Sequence, residues 1–368
     1  MNRIFAILAI LFSAHVHAVV PKPPDPLCVD NQCVDTAPGA GAAAGGVKWN
    51  PGHYMLVFRG ESADVVLSSR IPEICKEDSL QGLQYRIQWY DLEQSQGVYT
   101  FDEIDRIYAA LAACGKRLVL QVMAVEFGTT DPTGIVPTYL LKESAYSGGV
   151  SKTNSGYIAR LWEAPTMDRF IALMRALGAR YDGKPNFEGI VVAETATSGV
   201  GDGYTAEAWI AQLKRAVPAM VTAWPSTNVI VFNNFIQGST DTQFIDFVKF
   251  LMTNRAALGG PDVLPPPHSG SKSERILRGE LGGTDLRGKM PVVFAVQTPE
   301  LGGKEGTFSP RELYDHCVKT NGCSHMFWIR NTTYGGSAQQ WDTGILPFIR
   351  QTPTTNQNCP SSYDACTK

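Results

Sequence analysis

Apolar runs of strand length alternate along this chain with amphipathic segments of helix length. The runs are HYMLVF, LQYRIQW, RLVLQVMAV, GIVVAE, NVIVFNN, DVLPPP, PVVFAVQ and HMFWIR. Runs this continuous suit strands buried on both faces, and their alternation with helices suits a parallel sheet. In the sixth run three consecutive prolines supply no ladder donors, which limits that strand to its first residues. Between the runs, Asp102 to Cys114 places Ile104, Ile107, Tyr108 and Leu111 on one helical face. Thr166 reads as the N-cap of a helix that buries Phe170, Leu173, Met174 and Leu177, and Ser309-Pro310 as the cap and first turn of another.

Eight strands alternating with helices predict an α/β chain folded as a (β/α)8 TIM barrel with one main domain. An open doubly wound sheet is disfavoured, because FRGESADVV after the first run is no glycine-rich dinucleotide turn. The barrel spans 47–350. Before it, 19–46 form an arm rich in Pro, Gly and Ala, and after it, 351–368 form a polar, turn-rich tail held by its own two cysteines.

Composition narrows the class. The chain has 368 residues, 44% hydrophobic and 18% charged, with a net charge of -3. These values suit a soluble globular protein, and no basic cluster points to nucleic acid. Residues 1–18, MNRIFAILAILFSAHVHA, read as a signal peptide: a basic start, a short apolar stretch and small residues before a cleavage after Ala18. The expected location is therefore secreted or periplasmic, with no membrane contact after signal removal. Eight cysteines fit an oxidising compartment. Sequence proximity suggests Cys28–Cys33, Cys317–Cys323 and Cys359–Cys366, leaving Cys75 with Cys114, among 105 formal pairings. Neither Cys nor His spacing resembles a zinc site, so no metal and no other cofactor is expected. Oligomeric state is not legible.

A barrel carries its chemistry at the C-terminal ends of its strands. Those ends are rich in carboxylates, amides and aromatics: Trp89 and Asp91, Glu126, Glu194, Asn233 and Asn234, His268, Gln297 with Glu300, and Trp328. Such a set suits a site that binds polyols. Glu194 is the sharpest of them, since a carboxylate directly after GIVVA must face a pocket or meet a buried partner such as Arg86. Glu126 is either a second pocket carboxylate or a solvated residue at the start of a long loop, and Glu300 could reach the pocket from a short turn. Trp89 and Trp328 could stack on a sugar face, although large aromatics are more often core. His268 either contacts substrate or caps its loop.

The segment WYDLEQSQGVYTFDEID carries Trp89, Tyr90, Leu92, Glu93, Gly97, Tyr99, Phe101, Ile104 and Asp105 in the spacing W-Y-x-L-E-x-x-x-G-x-Y-x-F-x-x-I-D. This resembles the second-strand region of retaining glycoside hydrolases of the large (β/α)8 clan, most of all the β-galactosidase and β-xylosidase-like members. In architecture the resemblance spans most of 50–350, but its motifs lie only at 89–105 and near Glu194 and Trp328. It implies a carbohydrate substrate, Glu194 as general acid/base after the fourth strand, a nucleophile after the seventh, and Trp328 as the eighth-strand aromatic. Glu93 and the Gly97 turn would close the loop, while Tyr99 and Phe101 pin the following helix.

Two positions depart from the clan. Ala193 stands where many members have Asn, and Gln297 stands at the nucleophile position, where an amide cannot attack in the usual way. Glu300 could substitute, Glu126 or Asp91 could act as a base on water with inversion, or a substrate group positioned by Gln297 could assist. The sequence thus predicts an exported glycoside hydrolase, with a carbohydrate-binding pseudoenzyme on the same barrel as the alternative.

Overall fold

The structure is a computed structural model. It describes 45–57, 60–192, 194–201, 203–268, 270–297, 307–330, 340–352 and 354–368, and the backbone alone of 27–29, 32–34, 301–303 and 306. The signal peptide lies outside the described residues.

Eight parallel strands close into a barrel in sequential order: β1 (Gly52–Leu56), β2 (Leu80–Gln88), β3 (Arg117–Met123), β4 (Phe187–Val192), β5 (Asn228–Phe232), β6 (Ala257–Gly260), β7 (Val292–Val296) and β8 (His325–Ile329). Every residue of β1, β4, β5, β6, β7 and β8 is buried, as expected of strands with side chains on one face and helices on the other. Aromatic rings fill the interior. Phe327 on β8 lies 5.7 Å from Tyr54 on the adjacent β1 and 6.4 Å from Phe232 on β5, which is three strands away around the barrel.

The sixth strand corrects the sequence reading. It is Ala257–Gly260, before the proline run, and not DVLPPP. A Cβ at Gly260 would come within 2.6 Å of the Phe294 ring, so the neighbouring strand uses the space that an apolar run would need. The predicted helix from Asp102 forms as Asp102–Ala113, with Ile104, Ile107 and Leu111 buried and three carboxylates in its positive first turn. Helix Ala164–Tyr181 buries Phe170, Leu173, Met174 and Leu177, but its N-cap is Glu163; Thr166 sits fully buried inside the first turns. Ser309 caps the helix from Pro310 in a capping box with Glu312.

Three disulfides match the predicted pairs: Cys75–Cys114, Cys317–Cys323 and Cys359–Cys366. Cys28 and Cys33 face one another across a backbone ribbon of Leu27–Val29 and Gln32–Val34, which pairs with Val98–Tyr99; their side chains lie outside the described residues. The C-terminal tail does more than hold itself together. Cys366–Thr367 pairs with Val47–Lys48, Tyr363 is buried against Trp49, and the Tyr363 hydroxyl donates to Asn228 Oδ1 at 2.8 Å. The tail therefore closes the N-terminal end of the barrel.

That closed end holds a saturated polar cluster. Glu188 at the start of β4 accepts from Asn50 N and Nδ2 at 2.8 and 2.7 Å and from Asn228 Nδ2 at 3.2 Å. From the other side of the barrel, His325 Nε2 lies 3.2 Å from its Oε1. Burial pushes the Glu188 carboxyl up, but His325 and the Asn50 donors outweigh it, and the net direction is below the usual carboxylate range.

Candidate active site

The open, C-terminal end of the barrel is built from alternation along β2. Gln84, Arg86 and Gln88 are spaced by two and so share one face, and register with β3 places Arg86 beside Gln121. Gln84 Nε2 donates to Gln121 Oε1 at 2.7 Å, and Arg86 Nε donates to the same oxygen at 3.1 Å. Arg86 then spans the barrel, donating from Nη2 to Oε1 of Gln297, which follows β7, at 3.1 Å. The Gln297 amide nitrogen donates to the Pro261 carbonyl at 2.8 Å, so both ends of this side chain are engaged.

Glu194 lies two residues beyond β4 and is partly buried. Asn234, after β5, donates from Nδ2 to Glu194 Oε1 at 2.8 Å. Burial pushes the Glu194 carboxyl above its ordinary value; the Asn234 bond and the Arg86 charge oppose this without cancelling it. A carboxyl whose proton is retained to higher pH at a barrel mouth is suited to donate it. Further along the same face of β2, Gln88 Nε2 donates to Glu126 Oε2 at 2.6 Å, and no described group donates to the buried Gln88 Oε1.

The wall beside Glu194 joins three loops. Asn154, in the insertion after β3, donates from Nδ2 to Ser198 Oγ at 3.1 Å, and Gly199 N donates to Gln237 Oε1 at 2.5 Å. Gly199 has φ +74°, a turn that favours glycine, and a Cβ there would push the Asn154 amide aside. Gln237 N donates to Thr197 Oγ1, and the Tyr204 hydroxyl donates to the Gln237 carbonyl.

Of the residues anticipated from sequence, Glu194, Asn234, Gln297 and Glu126 lie in this mouth or are bonded to its side chains. Glu300 lies outside the described residues. Trp89, Trp328 and Asn233 are buried, which corrects the sequence reading, while Asp91 and His268 are not bonded to this network in any described contact. Trp89 is fully buried against Phe170, with Nε1 donating to Glu93 Oε2 at 2.8 Å. Trp328 is equally buried in the helix layer beside Phe348, and its Nε1 donates to His53 Nδ1 at 3.0 Å. Burial holds His53 down to about 4; as a neutral ring it accepts at Nδ1 and donates from Nε2 to the Thr352 carbonyl. Neither tryptophan offers a face to a ligand.

Asp91 is exposed beside Glu103 and Tyr85 on the outer side of β2, and burial followed by the Glu103 charge raises its carboxyl. Asn233 is 1% exposed, and its Nδ2 donates to Ser273 Oγ beneath the mouth. His268 lines an outer cavity of about 640 Å³ with Pro265, Arg278, Glu312 and His316, apart from the Arg86 network. Sequence reading missed Gln84, Gln88 and Gln121; for the first two the trace was the period-two row of polar residues inside LQYRIQW, and for Gln121 the lone polar residue inside RLVLQVMAV.

The segment 89–105 takes a structural role. Glu93 is fully buried and accepts from Trp89 Nε1, Gly97 N, the Tyr139 hydroxyl and Arg169 Nη2. Gly97 turns at φ +76°, and the Tyr99 and Phe101 rings stack 14° from parallel. The motif thus locks the β2 loop against the helix layer behind the mouth. Among the described residues no group of three or more His, Cys, Asp or Glu is placed to hold a metal ion, and no helix is long and apolar enough to cross a membrane.

No protein-family model matches the chain, and a search of curated proteins finds no match. Solved structures do resemble it. The catalytic domain of β-amylase from Paenibacillus polymyxa is 10% identical, with a TM-score of 0.54 over 77% of this chain and 92% of that one. Endo-glycoceramidase II from Rhodococcus sp., including its complex with a cellobiose-like imidazole, is 13% identical, with a TM-score of 0.54 over 83% of this chain and 80% of that one. At this identity the likeness concerns the fold, and with the closed parallel barrel it establishes this chain as a (β/α)8 barrel of the kind on which those glycoside hydrolases are built.

Proposed function

We propose that this protein is an exported glycoside hydrolase that cleaves glycosidic bonds in an oligo- or polysaccharide, with Glu194 as the general acid. The observation that carries this reading is the placement of Glu194 at the end of β4, bonded to Asn234 and held toward its protonated form. Three disulfides and the leader-like 1–18 favour an oxidising compartment outside the cytoplasm.

The Glu194 proton passes to the glycosidic oxygen as the bond from that oxygen to the anomeric carbon breaks, and the leaving group departs as an alcohol. Positive charge then builds on the anomeric carbon and ring oxygen, and a second carboxylate completes the reaction. If that carboxylate attacks, at a separation of about 5–5.5 Å from the acid, configuration is retained after water releases the covalent intermediate. If it takes a proton from water across about 6.5–9.5 Å, configuration inverts. Gln297 cannot fill either role, so Glu300 or Glu126 supplies this group. Arg86 and Gln297 bind substrate hydroxyls across the mouth, and Asn234 holds the acid in place.

One observation favours a second reading, a carbohydrate-binding pseudoenzyme. The amide of Gln297 occupies the place after β7, and Arg86 and the Pro261 carbonyl already engage both of its polar atoms. The test is product release from a panel of oligo- and polysaccharides by the mature protein, beside Glu194→Gln, Glu300→Gln and Glu126→Gln at matched folding. Release that is lost in Glu194→Gln and in one of the other two supports the hydrolase and identifies the second carboxylate. Sugar binding without release by the wild type selects the pseudoenzyme.

A further inference from the structure

The tryptophans that close β2 and β8 are buried, yet the loop after β5 exposes another aromatic one residue beyond Asn234. Phe235 is 49% exposed, one of three large apolar side chains exposed among the described residues, with Val65 and Tyr90. It directly follows Asn234, the residue that donates to Glu194.

Its backbone is held on both sides. Asn234 N donates to Thr195 Oγ1 at 2.9 Å, Gln237 N donates to Thr197 Oγ1 at 3.1 Å, and Ile236 is buried. The loop that follows Glu194 therefore fixes the loop that carries Phe235. A single exposed apolar side chain needs no explanation on a surface. This one adjoins, on a braced segment, the residue that positions the acid.

We propose that Phe235 is a stacking platform for a sugar ring on the leaving-group side of the scissile bond, so that the substrate carries at least one pyranose beyond that bond. This rests on the reading of Glu194 as the acid. The acid delivers its proton to the leaving-group oxygen, so the departing sugar lies on the side of Glu194 and Asn234. Arg86 and Gln297, which reach across the barrel, take the sugar on the other side. The C–H face of a pyranose is apolar and its edge polar, which suits an exposed phenyl ring whose neighbours are amides and hydroxyls.

The test compares wild type, Phe235→Ala and Phe235→Tyr on an oligosaccharide released in the substrate panel and on the methyl glycoside of the same glycone. For Phe235→Ala the expected result is a rise of about 3- to 10-fold in KM on the oligosaccharide. Its kcat on that substrate and both constants on the methyl glycoside should stay unchanged, and Phe235→Tyr should restore the wild-type KM. No change on the oligosaccharide, or an equal change on both substrates, overturns the platform. If the wild type releases no product, the hydrolase reading fails separately, and calorimetric binding of the same oligosaccharide decides. Weakening by Phe235→Ala that Phe235→Tyr reverses then supports the platform, while unchanged binding, or no binding by the wild type, overturns it.

Discussion

Strand β4 carries one glutamate at each end, and the two are driven in opposite directions. Glu188, on the floor, is fully buried but meets Asn50, Asn228 and His325, and its carboxyl is held below the usual range. Glu194, at the mouth, is less exposed to donors: among the described residues Asn234 donates to it, and its carboxyl is pushed upward. Burial alone therefore does not set the direction of the shift; the donors and charges at the carboxylate do. A fully satisfied buried carboxylate stabilises a fold, whereas an under-satisfied one at a cavity is ready to exchange a proton.

This contrast breaks most sharply under substitution. Glu194→Gln should lower turnover by about 10²- to 10⁴-fold, the usual contribution of a general acid, while the thermal midpoint is not lowered, because the amide oxygen still accepts from Asn234. A folded variant with wild-type turnover would remove Glu194 from the chemistry. Glu188→Ala should do the reverse, costing about 3–5 kcal/mol in urea unfolding because it strands His325 and the Asn50 and Asn228 donors in the floor. A change under about 1 kcal/mol would show that the floor cluster is not a stabilising unit.

The pH dependence sharpens the comparison further. Glu188 has a lowered folded value, so its stabilisation is present above the ordinary carboxylate pKa and is lost as pH falls through the lowered value. Glu194 has a raised folded value, so its contribution is complete below the ordinary pKa and is lost as pH rises through the raised one. Melting curves of wild type and Glu194→Gln should separate above the ordinary carboxylate range, with the variant more stable. In the same window kcat/KM of the wild type should fall as the acid ionises. Superimposable melting curves would contradict the raised value. The smallest effect concerns the tail: Tyr363→Phe leaves Asn228 Oδ1 without its hydroxyl donor and should cost about 1–3 kcal/mol by urea unfolding.

The strands were legible because a strand buried on both faces must be apolar throughout, and seven of the eight runs lie where the apolar residues cluster. The sixth failed because ALGG is short and half glycine, its space being taken by Phe294 and other neighbours. Glu194 was legible because a charge at the end of an apolar run has few places to go. Arg86 was read only as a possible partner for that charge, although it organises the mouth, because a polar residue inside an apolar strand gives no sign of what it faces across the barrel. Trp89 and Trp328 were misplaced for a related reason: a strand-end residue can face the axis or the helices, and composition does not distinguish the two.

The sequence by itself thus determined the alternation of elements, the cysteine pairs that lie close along the chain, and the carboxylate after β4. These follow from local periodicity and from the cost of burying charge. Only the tertiary structure decided which side chains share the mouth. That depends on the register with which eight strands close: one residue of slip turns every side chain of a strand to its other face. Closure set Arg86 against Gln297 and Glu188 against His325, pairs that are 211 and 137 residues apart in the chain.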